Sequence, residues 1–340
     1  MPSATFPRAQ PAPGERPRVE WPTVAVAVVI YGSWIGLTFG HRHVPTPLLV
    51  VLLAIVGAWF GSLQHEVLHG HPFRSRWASD ALGWAPLWLW LPYAEYKTAH
   101  LKHHHNAFLT DPLDDPESFY VTGESWARTA AALRPFLLAN RTLLGRLAFG
   151  PILTIVGYAH ETMTRERTGD QIRRDRRRAQ RIWIRHALGV AVIVAWLVLV
   201  ARLPLPIYLV GFVYGGLALT QVRSFAEHRY MAGAETRSAT IDASPFWALL
   251  FLNNNLHHAH HSRPHAAWHH LPGIADRLGS RTISADGAGY YRGYGELFRR
   301  YLVRPFTPAV HPRYALDALD ALDAATIGGP VFAQPATITE

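Results

Sequence analysis

The chain has 340 residues, enough for one large domain or two ordinary ones, and its 49% hydrophobic and 17% charged content is apolar for a soluble protein. It has no cysteine, which excludes disulfides, thiolate-bound zinc and a built-in iron–sulfur cluster, so any metal must be held by histidine and carboxylate. The formal charge of +9 does not call for nucleic acid, because much of the excess lies in RRDRRRAQR at 173 to 181, beside a long apolar segment where a cytoplasmic membrane flank belongs.

Residues 1 to 22 are Pro-rich and basic and read as a cytoplasmic tail with no cleavable signal. Segments 23 to 40 and 47 to 64 each approach the roughly 20 residues that cross a bilayer, and only HRHVPT separates them, which predicts a tight helical hairpin. Segments 183 to 201 and 206 to 222 repeat the arrangement around RLPLP. Segments 80 to 92 and 143 to 159 are apolar but short or interrupted by proline or arginine, and read as interfacial or re-entrant. The apolar runs could instead be core helices of a soluble enzyme, but four of near-span length, two pairs joined by short connectors, argue against it.

Arg8, Arg16 and Arg18 precede the first span; Arg165, Arg167, Arg173, Arg174, Arg176, Arg177, Arg178 and Arg181 precede the third; the two tips carry only Arg42 and Arg202. The basic residues therefore place the termini and the central loop in the cytoplasm of a bacterial-type inner membrane. Three histidine-rich stretches then share that side: HEVLHGH at 65 to 71, HLKHHH at 100 to 105 and HHAHH at 257 to 261.

HEVLH has the letters of a zinc-protease helix, a match short enough to arise by chance. The other clusters weaken that reading. His65 and His69 are four apart, while His100, His103, His104 and His257, His260, His261 each repeat an i, i+3, i+4 pattern, so on helices each group shares a face. Eight imidazoles exceed the three or four protein ligands of one zinc, and two metal ions are implied. His228, in RSFAEHR just past the fourth span, is a ninth candidate. Imidazole suits zinc, copper, iron and nickel alike, so ligand type does not name the metal.

Metal-bound imidazoles need acceptors for their second ring nitrogen. Glu66 reads as one such acceptor rather than a peptidase base; Glu227, Asp114 and Asp115 of TDPLDDPES, and the amides Asn253, Asn254 and Asn255 are the others. His71, His105, His258, His265, His269 and His270 fall off the pattern and take outer or solvent positions, and His41 and His43 lie at an external tip. Trp84, Trp88, Trp90, Tyr93 and Tyr96 either line an interfacial substrate tunnel or anchor the chain as an aromatic belt.

With HxxxH, HxxHH and a late HxxHH on one side of two membrane hairpins, residues 23 to 303 resemble the integral-membrane fatty acid desaturase and hydroxylase superfamily. The resemblance implies an all-α membrane domain of two transmembrane hairpins, four spans in all, with a helical cytoplasmic cap carrying the metal site and a C-terminal tail at 304 to 340. It implies two iron ions ligated by His65, His69, His100, His103, His104, His257, His260 and His261, and His228 matches the additional histidine that follows the fourth span. Some members carry asparagine four residues before that histidine, where this chain has Ser224. The implied activity is desaturation of a lipid acyl chain with O2 and two external electrons, or, as a rival outcome, hydroxylation or ketolation of an alkyl chain or carotenoid.

No cysteine for a ferredoxin, no GxGxxG and no HPGG haem motif is present, so the electrons are expected from a separate donor such as a ferredoxin and its reductase. The basic surface at 173 to 185 could dock that donor or anionic lipid, or simply set topology. A different class, a histidine-rich metal transporter or haem-binding membrane protein, is disfavoured because no candidate ligand falls near the middle of a span.

Overall fold

A computed structural model describes residues 19–164, 171–233 and 236–315. Arg8, Arg16, Arg18, Arg165 and Arg167, and most of the C-terminal tail, lie outside the described residues. Among the described residues, four helices are long and apolar enough to cross a membrane. They are α1 (Trp21–Gly40), α2 (Thr46–Leu68), α8 (Gln171–Ala195, continued by a π-helical turn Trp196–Val200) and α9 (Leu205–Ser224, π-helical over Leu209–Gly215). Proline stands in the first turn of α1, α2 and α9, where a missing N–H costs nothing. Helical bonding outlasts the apolar stretch: α2 continues past Gln64 to Leu68 and so delivers the first histidines on its last turn.

α2 and α9 form the centre. A Cβ added to Gly57 would meet the Phe212 carbonyl oxygen at 2.5 Å, and one added to Gly216 would meet Gly57 Cα at 2.9 Å, so the two backbones touch where side chains are absent. α1 packs on this pair through Tyr31 against Phe60, with ring centroids 6.0 Å apart, and through Trp34 Nε1, which donates to Tyr208 Oη at 3.1 Å. Tyr208 donates in turn to the Leu87 carbonyl at 2.7 Å, tying the spans to the segment between the first two histidine clusters. α8 is the outlier. Its Ile184, Leu188 and Val192, one per turn, are 60–67% exposed, a stripe that fits lipid rather than water.

Segment 80 to 92 is not a span: α3 (Arg76–Gly83) ends inside it, and turns lead to α4 (Tyr93–His104). After α5 (Gly123–Arg128) and α6 (Arg134–Ala139), segment 143 to 159 lies within α7 (Leu143–Thr164), a continuous helix despite Pro151. α7 lies along α9, where Gln221 Nε2 donates to Thr154 Oγ1 at 2.9 Å and Tyr214 donates to the Ala148 carbonyl. The remainder is short helices: α10 (Pro245–Leu250), α11 (His257–Ser262), α12 (Leu271–Leu278), α13 (Ser280–Ala285) and α14 (Tyr294–Tyr301). The all-α expectation needs one amendment, a two-residue parallel pair of β1 (Thr240–Ile241) with β2 (Tyr290–Tyr291). It exists because Asn255 Nδ2, at 2.7 Å from the Ile241 carbonyl, and the Gly289 and Tyr291 carbonyls complete the backbone bonding of the segment that supports α11.

Candidate metal centre

Each histidine stretch sits at a helix end. His65 is on the last turn of α2 and His69 caps it, His100, His103 and His104 close α4, and His257, His260 and His261 fill α11. His228 lies four residues beyond α9, bridged to Ser238. The structure gathers all nine into two groups: His65, His69, His100, His104 and His260 in one, His103, His228, His257 and His261 in the other, with the ligand atoms of each group within 4.8 Å of one another.

Helical geometry explains the division. At about 100° per residue, positions i and i+4 differ by only about 40°, whereas i+3 points about 60° the other way. His100 and His104 therefore join one group and His103 the other, while His257 and His261 join the second and His260 the first. Each HxxHH straddles both groups.

The Nε2 spacings test whether metal fits. His104 Nε2 is 3.0 Å from both His100 Nε2 and His260 Nε2, and His228 Nε2 is 3.1 Å from His103 Nε2 and 2.9 Å from His257 Nε2. A ring nitrogen offers either one hydrogen or one lone pair, so hydrogen bonding cannot satisfy two such neighbours at once. Two ligands at about 2.1 Å from one ion and at right angles to each other are about 3.0 Å apart. Moreover, His65 Nε2, both nitrogens of His69, and His261 Nε2 are buried without hydrogen-bond partners, a state that native interiors rarely tolerate.

Second nitrogens are held from behind. His103 Nδ1 donates to Asp115 Oδ1 at 2.7 Å, His100 Nδ1 to Glu117 Oε1 at 2.7 Å, and His257 Nδ1 lies 3.3 Å from Asn254 Oδ1 and 3.4 Å from Glu227 Oε1. A proton fixed on Nδ1 leaves the Nε2 lone pair facing inward. Burial, then the crowd of neighbouring imidazoles, pulls His69, His104, His257, His260 and His261 well below the ordinary histidine range. Burial brings His228 down to about 3. These rings are uncharged ligands-in-waiting at neutral pH. His103 is the exception: burial opposes its charge, but Glu117 and Asp115 more than offset that and raise it. Burial pushes Glu227 up to about 7 against the pull of Arg223.

A family model described as fatty acid desaturase matches residues 42–295. The chain belongs to the fatty acid desaturase family. The matched stretch contains all nine gathered histidines, and membership supports a desaturase- or hydroxylase-type oxidoreductase in a multi-pass membrane protein. No curated protein matches the chain.

Within this family member, the expected outer acceptors divide. Asp115, Glu227 and Asn254 reach imidazoles, as above. Glu66 Oε1 accepts the Trp268 backbone N–H at 3.0 Å, and Glu66 clusters with Glu20 and the His71 imidazole. Asp114 is exposed, and Asn253 Nδ2 donates to the Trp268 carbonyl at 3.1 Å. The acidic stretch supplies Glu117 in place of Asp114; a turn in which the Glu117 N–H donates to Asp115 Oδ1 at 2.9 Å brings it round to His100, and no sequence spacing signalled it. Arg223 was also missed. Its Nε meets Glu227 Oε1 at 3.0 Å in a buried pair whose i, i+4 spacing is visible in RSFAE.

The aromatic set is not one wall. Tyr96 lies 5.8 Å from the His100 ring, but Tyr93 donates to Asp80 at 2.7 Å, Trp88 Nε1 donates to the Gly57 carbonyl at 3.1 Å, Trp90 meets Tyr158 edge-on, and Trp84 is half exposed. Ser224 is the half-buried last residue of α9. Off the boxes, His258 Nδ1 is 2.9 Å from Ser280 Oγ, and His105 Nδ1 is 2.6 Å from the Leu101 carbonyl. The turn His41–His43 lies at the opposite end of α2 from His65.

Proposed function

We propose that the chain is a membrane-bound diiron oxidase that uses O2 and two electrons from a separate donor to desaturate the acyl chain of a lipid. The observation that carries this is the division of nine imidazoles, six buried and three partly buried, into a group of five and a group of four at one end of the spans, within a fatty acid desaturase family chain. Bound iron would supply the reduction of O2 that lets an unactivated C–H bond be oxidised. The chain's own part is to hold and shield. Asp115 and Glu117 keep the Nδ1 protons of His103 and His100 in place, Glu227 and Asn254 orient His257, and the buried walls keep bulk water from the nine rings.

In this reading α1 with α2 and α8 with α9 are two hairpins, and the short helices form a cytoplasmic cap over the histidine end. Reporters fused after residue 170 should signal cytoplasm, and reporters at residues 43 and 204 the far side. A far-side signal at 170 would overturn the orientation.

Metal analysis of the purified protein and mass spectrometry of lipids from cells with and without it test the function. Two irons per chain and a product lighter by two hydrogens are expected. Zinc or haem in place of iron, or a gain of one oxygen in the product, would defeat the diiron or the desaturase assignment respectively.

A further inference from the structure

The two turns at the end of the spans away from the histidines hold one arginine each, and the fold brings the two together. Arg42 stands in the turn between α1 and α2, Arg202 in the turn between α8 and α9, and both line one open cavity of about 670 Å³. Residues 21 to 64 and 176 to 226 contain no Asp or Glu, and no acid lines the cavity, so the wall is cationic without compensation. Arg202 also stands where glycine is the usual residue. Its φ of 55° lies in the left-handed region, just past the end of α8, where the Leu203 N–H closes the helix onto the Leu197 carbonyl at 2.9 Å. Glycine takes this conformation without the steric cost that a side chain brings, so the local backbone does not account for an arginine there.

The cavity is amphipathic. Arg42, His43 and Thr46 from the first turn and Arg202 from the second supply its polar groups, while Leu49 and Ile207, in the first turns of α2 and α9, supply an apolar part. Guanidinium forks match the oxygens of a phosphate, and the apolar side chains match the hydrocarbon that follows a headgroup into the bilayer. An ammonium headgroup finds no carboxylate here to meet it. The volume falls in the range of small-molecule cavities, about 300–1,000 Å³, and far exceeds the roughly 30 Å³ that one water occupies. The complement to this wall is a phospholipid of net negative charge.

We propose that Arg42 and Arg202 bind the phosphodiester of an anionic phospholipid in the leaflet away from the histidine end, so that the lipid bridges the two turns. This lipid is a bound partner and not a substrate, because its headgroup sits at the opposite end of α2 from His65. The site needs the four helices to cross a membrane and does not depend on the oxidase reading.

The test is a thermal-shift titration of the metal-loaded full chain in neutral detergent with dioleoylphosphatidylglycerol, dioleoylphosphatidylcholine and glycerol 1-phosphate. Phosphatidylglycerol should raise the melting temperature saturably, and the other two should not at the same concentrations. Arg42→Gln and Arg202→Gly should each raise the half-saturating phosphatidylglycerol concentration by about tenfold, as loss of a charged hydrogen bond does, with bound metal unchanged. Arg202→Gly puts the preferred residue at a left-handed position, so it removes the side chain without threatening the fold. An equal response to phosphatidylcholine overturns the site. So does an undiminished response in both variants, since the lipid then sits at the arginines that begin α8. An equal shift from glycerol 1-phosphate overturns it as well, because the cavity then takes a small soluble anion. Should Arg42→Gln fail to fold, Arg202→Gly and the comparison of the two lipids on the unaltered chain still decide.

Discussion

His103 and Asp115 meet at 2.7 Å with side chains only 1% and 2% exposed, and Asp115 is itself fixed by the Thr110 and Glu117 backbone N–H groups at 2.8 and 2.9 Å. A carboxylate pinned this way sets the ring's tautomer and direction. Asp115→Asn should therefore lower metal affinity by about 10- to 100-fold with the fold retained. Metal content after dialysis against graded chelator measures it, and unchanged retention would show that Asp115 does not govern His103.

The two groups should fail together. His65→Ala, His103→Ala, His228→Ala or His260→Ala should each abolish turnover and lower bound metal, and pairs of these changes should add little to either alone. His41→Ala, at the other end of α2, is the control and should leave activity nearly intact. Glu66→Gln separates the oxidase from the zinc-protease reading: since Glu66 accepts the Trp268 N–H, the amide should preserve oxidation, and peptide hydrolysis lost in this variant would revive the protease.

Acid should destabilise the metal-stripped protein. His69, His104, His228, His257, His260 and His261 are all lowered in the fold, His228 to about 3, whereas the unfolded chain titrates near about 6.5. Between those values the unfolded state binds more protons, so stability is full above about pH 6.5 and is lost as pH falls toward 3. Melting temperatures of the stripped protein in detergent from pH 7.5 to 4.5 should fall steadily, and a flat profile would contradict neutral, buried rings.

Gly57→Val should force α2 and α9 apart, because even a Cβ there would meet the Phe212 carbonyl at 2.5 Å. Overpacking of this kind costs about 1–3 kcal/mol or more, and here it also displaces His65, two turns along the same helix. A lowered melting temperature together with lower metal content is expected. Gly32→Ala, with nothing within 4 Å of its Cβ, should do neither.

Spans and boxes were legible because they repeat: apolar length announces a bilayer crossing, and i, i+4 spacing announces a shared helix face. The same spacing splits each HxxHH into two directions, but it could not say which rings of the separate stretches would meet, since that depends on how α4 and α11 approach each other. Glu117 and Glu66 show the other boundary. Both are acids near a box, and only the path of the loop from Asp111 to Ser118, and of the turn before Trp268, decides that Glu117 meets His100 while Glu66 lies with His71 and the Trp268 backbone N–H. Arg141 and Arg146 carry no pattern at all; their burial is a property of the packed chain.

Because α4 and α11 each contribute to both histidine groups, neither helix can turn about its axis to improve one group without misaligning the other. A first ion bound in either group would therefore fix both shared helices for the second, so loading should be cooperative, and a one-metal form should be scarce at every metal concentration.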